Sequence, residues 1–158
     1  MKILVVSDIH GSELFLEKAY LKEKPDSVWF LGDGIGDFIH ARDYIFDGAC
    51  ETRAVLGNCD YGWSGEYVSE QIAAAGNAKF FLAHGHRHGV RNGIRDICIE
   101  AYAQGCGYAL FGHTHCQERG TYFGVTALNP GTITRGDYLV IVFAGGKPEF
   151  TFKNLADS

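Results

Sequence analysis

An α/β fold with parallel strands is what this sequence predicts, and three observations carry it. Short, branched apolar runs alternate with segments of helical spacing through the first third of the chain. Five short blocks rich in histidine, aspartate and asparagine each stand directly after one of the predicted strands. About the last forty residues hold strand-length apolar segments broken by glycine turns, so the C-terminal part reads as all-β.

The elements follow in order. Ile3 to Ser7 is short, branched and apolar, which predicts a buried strand. Ser12 to Glu23 puts Leu14, Phe15 and Ala19 at helical spacing, and Pro25 marks the stop. Ser27 to Leu31 is a second strand, Phe38 to Phe46 fits a helix, and Thr52 to Leu56 is a third strand. That βαβαβ order implies parallel strands joined by right-handed crossovers. Val68 to Ala75 fits either a helix or a strand, and Gly76-Asn77 is a turn into a strand from Lys79 to Ala83. Ile94 to Ala103 predicts a helix closing near Gly105 and Gly107, and Tyr108 to Phe111 a short strand. Thr121 to Leu128, Tyr138 to Phe143 and Glu149 to Lys153 complete the chain, the last two joined by a hairpin turn at Ala144-Gly145-Gly146-Lys147.

With 158 residues, 46% of them apolar, residues 1–158 are expected to form a single domain with a real core. The net charge of -5 is mild and the signs are interspersed, which argues against stable nucleic-acid binding. Cys50, Cys59, Cys98, Cys106 and Cys116 are odd in number and lack CxxC spacing, so free thiols in a reducing compartment are expected. The apolar N-terminus meets Asp8 too early for a signal peptide, and no stretch approaches the roughly 20 apolar residues of a membrane span. These features predict a soluble cytoplasmic protein with no membrane partner.

The five blocks are Asp8-Ile9-His10, Gly32-Asp33, Gly57-Asn58-Cys59-Asp60, His84-Gly85-His86 and Gly112-His113-Thr114-His115. They hold five of the seven histidines, four of them beside a glycine. Imidazole, carboxylate and amide oxygen are the donors that mid-row divalent metals accept. Ligands of an open α/β sheet collect outside the carboxyl ends of the strands, and strands about 4.8 Å apart bring their loops to one small region. The blocks in sequence therefore read as a two-metal hydrolase, although each alone has a plainer reading. Asp8 can cap a helix, Gly-Asp and Gly-Asn are ordinary turn chemistry, and His40 and His88 look structural and superficial. Asp33 suits a bridging carboxylate, since two cations about 3.5–4 Å apart need an anion between them. Asn58 can supply a neutral oxygen, and His84 a metal nitrogen. His86 suits a substrate-side or acid–base group, and Asp60 one that orients a neighbour. Asp37 is a candidate outer support, or simply an exposed helix-start acid. Tyr61 and Trp63 either wall the site or lie on the surface. Arg135, after the rigid turn Asn129-Pro130-Gly131-Thr132, can meet a phosphate.

At these blocks the chain resembles the calcineurin-like metallophosphoesterases, which show D-x-H, G-D, G-N-H-D/E, H and G-H-x-H in this order. It is most similar to the compact YfcE-type phosphodiesterase subfamily, which also carries the late Asn-Pro-Gly-Ser/Thr turn. The resemblance runs from Asp8 to Arg135 and implies a four-layer αββα sandwich of two mixed β-sheets flanked by helices. It implies that Asp8, His10, Asp33 and His115 hold one metal, and that Asp33, Asn58, His84 and His113 hold the second. The implied activity is phosphodiester hydrolysis of small or nucleotide-like substrates through a metal-bridging hydroxide, with His86, Cys59 and Asp60 as catalytic groups and Arg135, Asn58 and His86 meeting substrate. The implied cofactors are two divalent ions, manganese first, with Fe, Co, Ni or Zn as alternatives. A homodimer is compatible with so compact a fold. The departure is Cys59, where most of the superfamily has histidine, although compact members often carry cysteine. Two alternatives stay open: a phosphomonoesterase or nucleotidase with the same centre, and a non-catalytic scaffold such as the retromer subunit that shares the fold.

Overall fold

The computed structural model describes residues 1–63 and 65–157. In chain order its first half contains β1 (Lys2–Val6), α1 (Glu13–Glu23), β2 (Ser27–Phe30), α2 (Ile35–Tyr44), β3 (Glu51–Ala54), β4 (Glu70–Ala75) and β5 (Ala78–Ala83). Then come α3 (Arg95–Ala103), β6 (Tyr108–Leu110), β7 (Gln117–Tyr122), β8 (Val125–Pro130), β9 (Asp137–Ala144) and β10 (Lys147–Asn154). Short 3-10 turns lie at His86–His88, Val90–Asn92 and Ile133–Arg135.

Alternation along β1 fixes the layers. Ile3 and Val5 face one way, Leu4 and Val6 the other, and all four are fully buried. A strand buried on both faces must lie between two covering layers. Leu4 and Val6 pack with Leu16, Ala19, Phe38 and Ala41 of α1 and α2, while Ile3 and Val5 meet Phe80, Leu82, Leu110 and Leu128 of a second sheet. The far face of that second sheet, with Phe81, Ala109 and Ala127, is covered by Ile97, Cys98 and Ala101 of α3. The result is the four-layer αββα sandwich.

Both sheets are mixed. The first runs β10-β9-β1-β2-β3, with β1, β2 and β3 parallel and β9 and β10 antiparallel beside them. The second runs β4-β5-β6-β8-β7, with β5, β6 and β8 parallel and the outer two strands antiparallel. The loops after the parallel strands are tied together within each sheet and, at one point, across the sandwich. Asp8 N donates to Gly32 O at 2.9 Å, Gly112 N to His84 O at 2.9 Å and Ile133 N to Ser7 O at 3.1 Å.

Three expectations need correction. The run Thr121 to Leu128 is not one strand. It folds at Phe123 (φ 55°) and Gly124 (φ 76°), the two positive angles of a tight hairpin, leaving β7 and β8 as partners. Phenylalanine seldom takes that position, so the turn is hidden inside an apolar run. Helix α2 starts at Ile35 rather than Phe38, because Asp60 Oδ1 from another loop accepts the Gly34 and Ile35 N–H groups at 2.8 and 3.1 Å. A cap supplied from that far away leaves no local signature. His88 is half-buried rather than superficial, with Nε2 3.2 Å from Glu70 Oε1 and its ring edge-on to Phe81. The ambiguous segment before Gly76 resolves as strand β4, in a hairpin with β5.

Candidate metal centre

The backbone at the blocks is held in conformations that cost energy. Seven described residues other than glycine have positive φ, and five of them are Asp8, His10, Asp33, His113 and His115. Such angles cost on the order of 1–3 kcal/mol each and persist where the surroundings over-determine them, as functional sites do. Two block glycines are required by close approach. A Cβ on Gly57 would overlap Asp33 Oδ1, and one on Gly112 would overlap Ser7 Oγ. Each glycine thus lets one loop press against an acidic residue, or its neighbour, from another.

Two donor groups result, Asp8/His10/His115 and Asp33/His84/His113, each with its ligand atoms within 4.8 Å of one another. Asp33 Oδ2 faces both, 3.2 Å from His84 Nε2 and 3.8 Å from His10 Nε2. Asp8 Oδ1 lies 3.2 Å from His115 Nε2, 3.7 Å from His10 Nε2 and 3.8 Å from His84 Nε2. It is buried and makes no hydrogen bond among the described residues, an expensive condition for a carboxylate oxygen. His84 Nδ1 donates to Leu31 O at 2.8 Å, which turns Nε2 toward the carboxylates and toward His113 Nδ1 at 3.3 Å. Carboxylate oxygens and imidazole lone pairs that converge this way are satisfied by a cation between them, so the donor set fits divalent ions.

The electrostatics follow from the same crowding. Burial alone would raise the Asp33 pKa, but the His84 hydrogen bond and charge and the Cys59 N–H push it well below the carboxylate range. Burial pulls His84 down, yet the Asp33 hydrogen bond and the charges of Asp8 and Asp33 leave it raised. His86 and His113 are lowered by burial first and then by the positive charge of His84.

Supports surround this group. Asp60 accepts four backbone N–H groups, those of Asp33, Gly34, Ile35 and Gly57, at 2.8–3.1 Å, so both its oxygens are occupied in joining the β2 and β3 loops. That occupancy suits Asp60 to orienting the neighbouring loops. Ser7 Oγ donates to Asp8 Oδ2 at 2.6 Å. Fully buried Asn129 donates to Gly112 O and Thr114 Oγ1 and accepts from Gly131 N, while Thr132 Oγ1 donates to Asp8 O. The Asn-Pro-Gly-Thr turn therefore braces the ligand loops rather than pointing its own N–H groups at solvent.

The remaining predicted residues are dispersed around the centre. Asn58 is exposed, one residue from the Cys59 N–H that donates to Asp33 Oδ1 at 2.8 Å, and its amide nitrogen lies 3.5 Å from Cys59 Sγ. The His86 ring centroid is 5.5 Å from His84 and 6.1 Å from His113. Arg135 is exposed and donates to the His115 carbonyl. Asp37 Oδ2 accepts from Gly11 N at 2.9 Å, and His40 pairs with Glu13. Tyr61 and Trp63 line an open cleft with His10 and Cys59. Arg91 was not anticipated: its Nε donates to His113 Nε2 at 3.1 Å. It arrives there because Gly85 and Gly89, both at positive φ, fold the segment into consecutive 3-10 turns, and no periodicity marks it.

Comparison with known proteins agrees with this geometry. The profile of the calcineurin-like phosphoesterase superfamily domain matches residues 1–144. The chain is 30% identical over 136 residues to the probable metallophosphoesterase YsnB of Bacillus subtilis, covering 84% of this chain and 75% of that one. A predicted phosphoesterase of Streptococcus pneumoniae superposes with a TM-score of 0.76 at 23% identity, over 97% of this chain and 88% of that chain. The phosphoesterase YfcE of E. coli gives 0.65 at 19%, over 90% and 88%. Zinc-complexed Vps29 of Entamoeba histolytica shares the fold with a TM-score of 0.71 at 20%, over 98% and 99%. Profile, relative and ligand-loop arrangement converge: the chain belongs to the calcineurin-like phosphoesterase superfamily.

Proposed function

We propose that this chain is a metal-dependent phosphodiesterase acting on small or nucleotide-like phosphodiesters. Asp8, His10, Asp33, Asn58, His84, His113 and His115 are its metal ligands. The observation that carries the reading is one carboxylate oxygen, Asp33 Oδ2, facing both donor groups. Two cations there would polarise the phosphoryl oxygens and lower the pKa of water from about 15.7 toward about 7. A ligand set of nitrogen and oxygen without thiolate suits Mn, Fe, Co, Ni or Zn, with selection by availability, and manganese is the first of these we propose.

The chain's own residues have separable tasks. Asp33 fixes the relation of the two halves, and Asp60 holds Asp33 by gripping the backbone on both sides of it. Burial first lowers the His86 pKa, which favours the neutral imidazole that can take or pass a proton on the substrate side. Arg91 beside His113 and Arg135 beside His115 supply positive charge for the phosphate. Free cysteines agree with a cytoplasmic setting.

Cys59 sets the leaving-group preference. Burial, and then the negative charges of Asp33, Asp60 and Asp8, push its thiol pKa up, so it remains a weak S–H donor. Esters with good leaving groups are therefore favoured. Cys59→His should extend activity to poorer leaving groups, and an unaltered substrate profile would remove this role.

Hydrolysis of bis(p-nitrophenyl) phosphate beside p-nitrophenyl phosphate, with and without Mn²⁺, tests the reading on wild type and Asp33→Asn. Metal-dependent diester cleavage that collapses in the variant is expected. Faster monoester cleavage would favour a nucleotidase. No cleavage and no retained metal would favour a scaffold.

A further inference from the structure

An open cleft of about 400 Å³ begins at His10 and Cys59 and continues along the first turn of α2 to Tyr61 and Trp63. Its walls are fixed from several directions. Asp60 forms part of the lining with both oxygens already saturated by backbone N–H groups, and Asp37 ties the α2 start to the loop before α1 through Gly11 N. Trp63 is half-buried against the helix-side core and near Tyr67, whereas Tyr61 is 85% exposed. A large aromatic ring left that open beside a charged centre has an aromatic face available for stacking.

Charge separates this cleft from the rest of the surroundings. Arg91 meets His113 and Arg135 meets the His115 carbonyl, but among the described residues no lysine or arginine lines the cleft. Its charged lining residues are acidic, apart from the imidazole of His10. A second phosphate would be repelled there, while a flat neutral group would cover the two aromatic side chains. Resting on the proposed phosphodiesterase function, we infer that the cleft is a subsite for a neutral aromatic ester group. The substrate class is then an aryl or nucleoside phosphodiester rather than a polyphosphate or an aliphatic ester.

Equilibrium binding tests this independently of turnover. The Mn²⁺-equilibrated protein is titrated by calorimetry with phenylphosphonate, methylphosphonate and thymidine 5′-monophosphate. The two phosphonates share a headgroup and charge and differ in the ring. Phenylphosphonate should bind about tenfold more tightly, the order one ring–ring contact supplies. It should also change tryptophan emission, because Trp29, the other of the two tryptophans, is 2% exposed in the core. Exposed Tyr61→Ala and the apolar replacement Trp63→Leu should bring the two phosphonates within about twofold. Thymidine monophosphate binding tighter than phenylphosphonate would mark the group as a nucleoside, and equal or weaker binding a simple aryl ester. Equal affinities in wild type, binding of neither phosphonate, or a preference retained in both variants would overturn the inference. Diester cleavage is measured on the same samples. Ring preference without cleavage would refute the phosphodiesterase reading alone, and cleavage without ring preference would refute the subsite alone.

Discussion

Two buried carboxylate clusters occupy different parts of this chain, and they solve the same problem in opposite ways. Glu23, 5% exposed at the end of α1, accepts from Tyr138 Oη at 2.8 Å and Lys153 Nζ at 2.9 Å, with Lys2 Nζ 3.5 Å from its second oxygen. Every charge there is answered by the chain itself. Asp8 and Asp33 are buried as deeply, yet histidine nitrogens face them and Asp8 Oδ1 has no hydrogen-bond donor among the described residues. A carboxylate completed by lysine and tyrosine is part of the fold, whereas one with a buried oxygen that faces histidine nitrogens and has no donor among the described residues is arranged for a cation. Backbone strain follows the same division. Five of the seven non-glycine positive φ angles among the described residues fall at Asp8, His10, Asp33, His113 and His115, whereas Glu23 itself is helical and only Lys24, the cap after it, is left-handed.

Substitutions can break this contrast. Asp33→Asn removes the charge facing both donor groups and should lower metal-dependent phosphoester hydrolysis by about 10³-fold, the order lost when a central electrostatic group is removed. Its folded content by circular dichroism should be unchanged. An active Asp33→Asn would put the two clusters in the same class.

Asn129→Ala asks whether the centre depends on its braces. Asn129 joins the His113–His115 loop to the turn after β8, so its loss should weaken Mn²⁺ binding by about 10–100-fold in titration calorimetry. Ligand identity would be intact, and excess metal should restore much of the activity.

Glu23→Gln probes the other cluster. The two lysines are partly solvated and can recover water, so the expected cost is about 2 kcal/mol in denaturant unfolding, below that of a fully buried pair. Hydrolysis should be unaffected. Burial raises the Glu23 pKa, but hydrogen bonds from Lys153 and Tyr138 and the lysine charges outweigh it and leave the pKa lowered. Its contribution is therefore complete above the unfolded carboxylate range of about 4.3, and is lost as pH falls through the lower folded value. The difference in stability between wild type and Glu23→Gln should shrink on acidification below pH of about 4.5. A constant difference would contradict this assignment.

Ser7→Ala should act least. Asp8 Oδ2 keeps the His113 N–H at 3.2 Å, so metal affinity is expected to fall only severalfold in the same titration.

Much of the fold was legible because the relevant signals are local. Continuous apolar runs such as Val5-Val6 and Phe81-Leu82 mark buried strands, and the blocks after them could be aligned with strand ends from spacing alone. The four layers came from the family resemblance, because strand order depends on pairings such as β1 with β9 that join distant parts of the chain. What escaped was non-local. Asp60 caps α2 from a loop 25 residues away, Asn129 grips a loop 15 to 17 residues before it, and Arg91 reaches His113 through a pair of glycine-directed turns. Phe123 shows a different limit. A positive φ at an aromatic residue contradicts turn preferences, and only tertiary structure reveals it.

The central claim is that the Asp8 and Asp33 cluster is built to hold two cations, whereas the Glu23 cluster is complete without any. Anomalous diffraction from Mn²⁺-soaked crystals of wild type and Asp33→Asn tests it most directly. Two peaks per chain between the Asp8 and Asp33 groups, with loss of at least one in the variant and none beside Glu23, is the predicted result. A wild-type centre empty at saturating Mn²⁺, or one whose peaks are unchanged by Asp33→Asn, would contradict it.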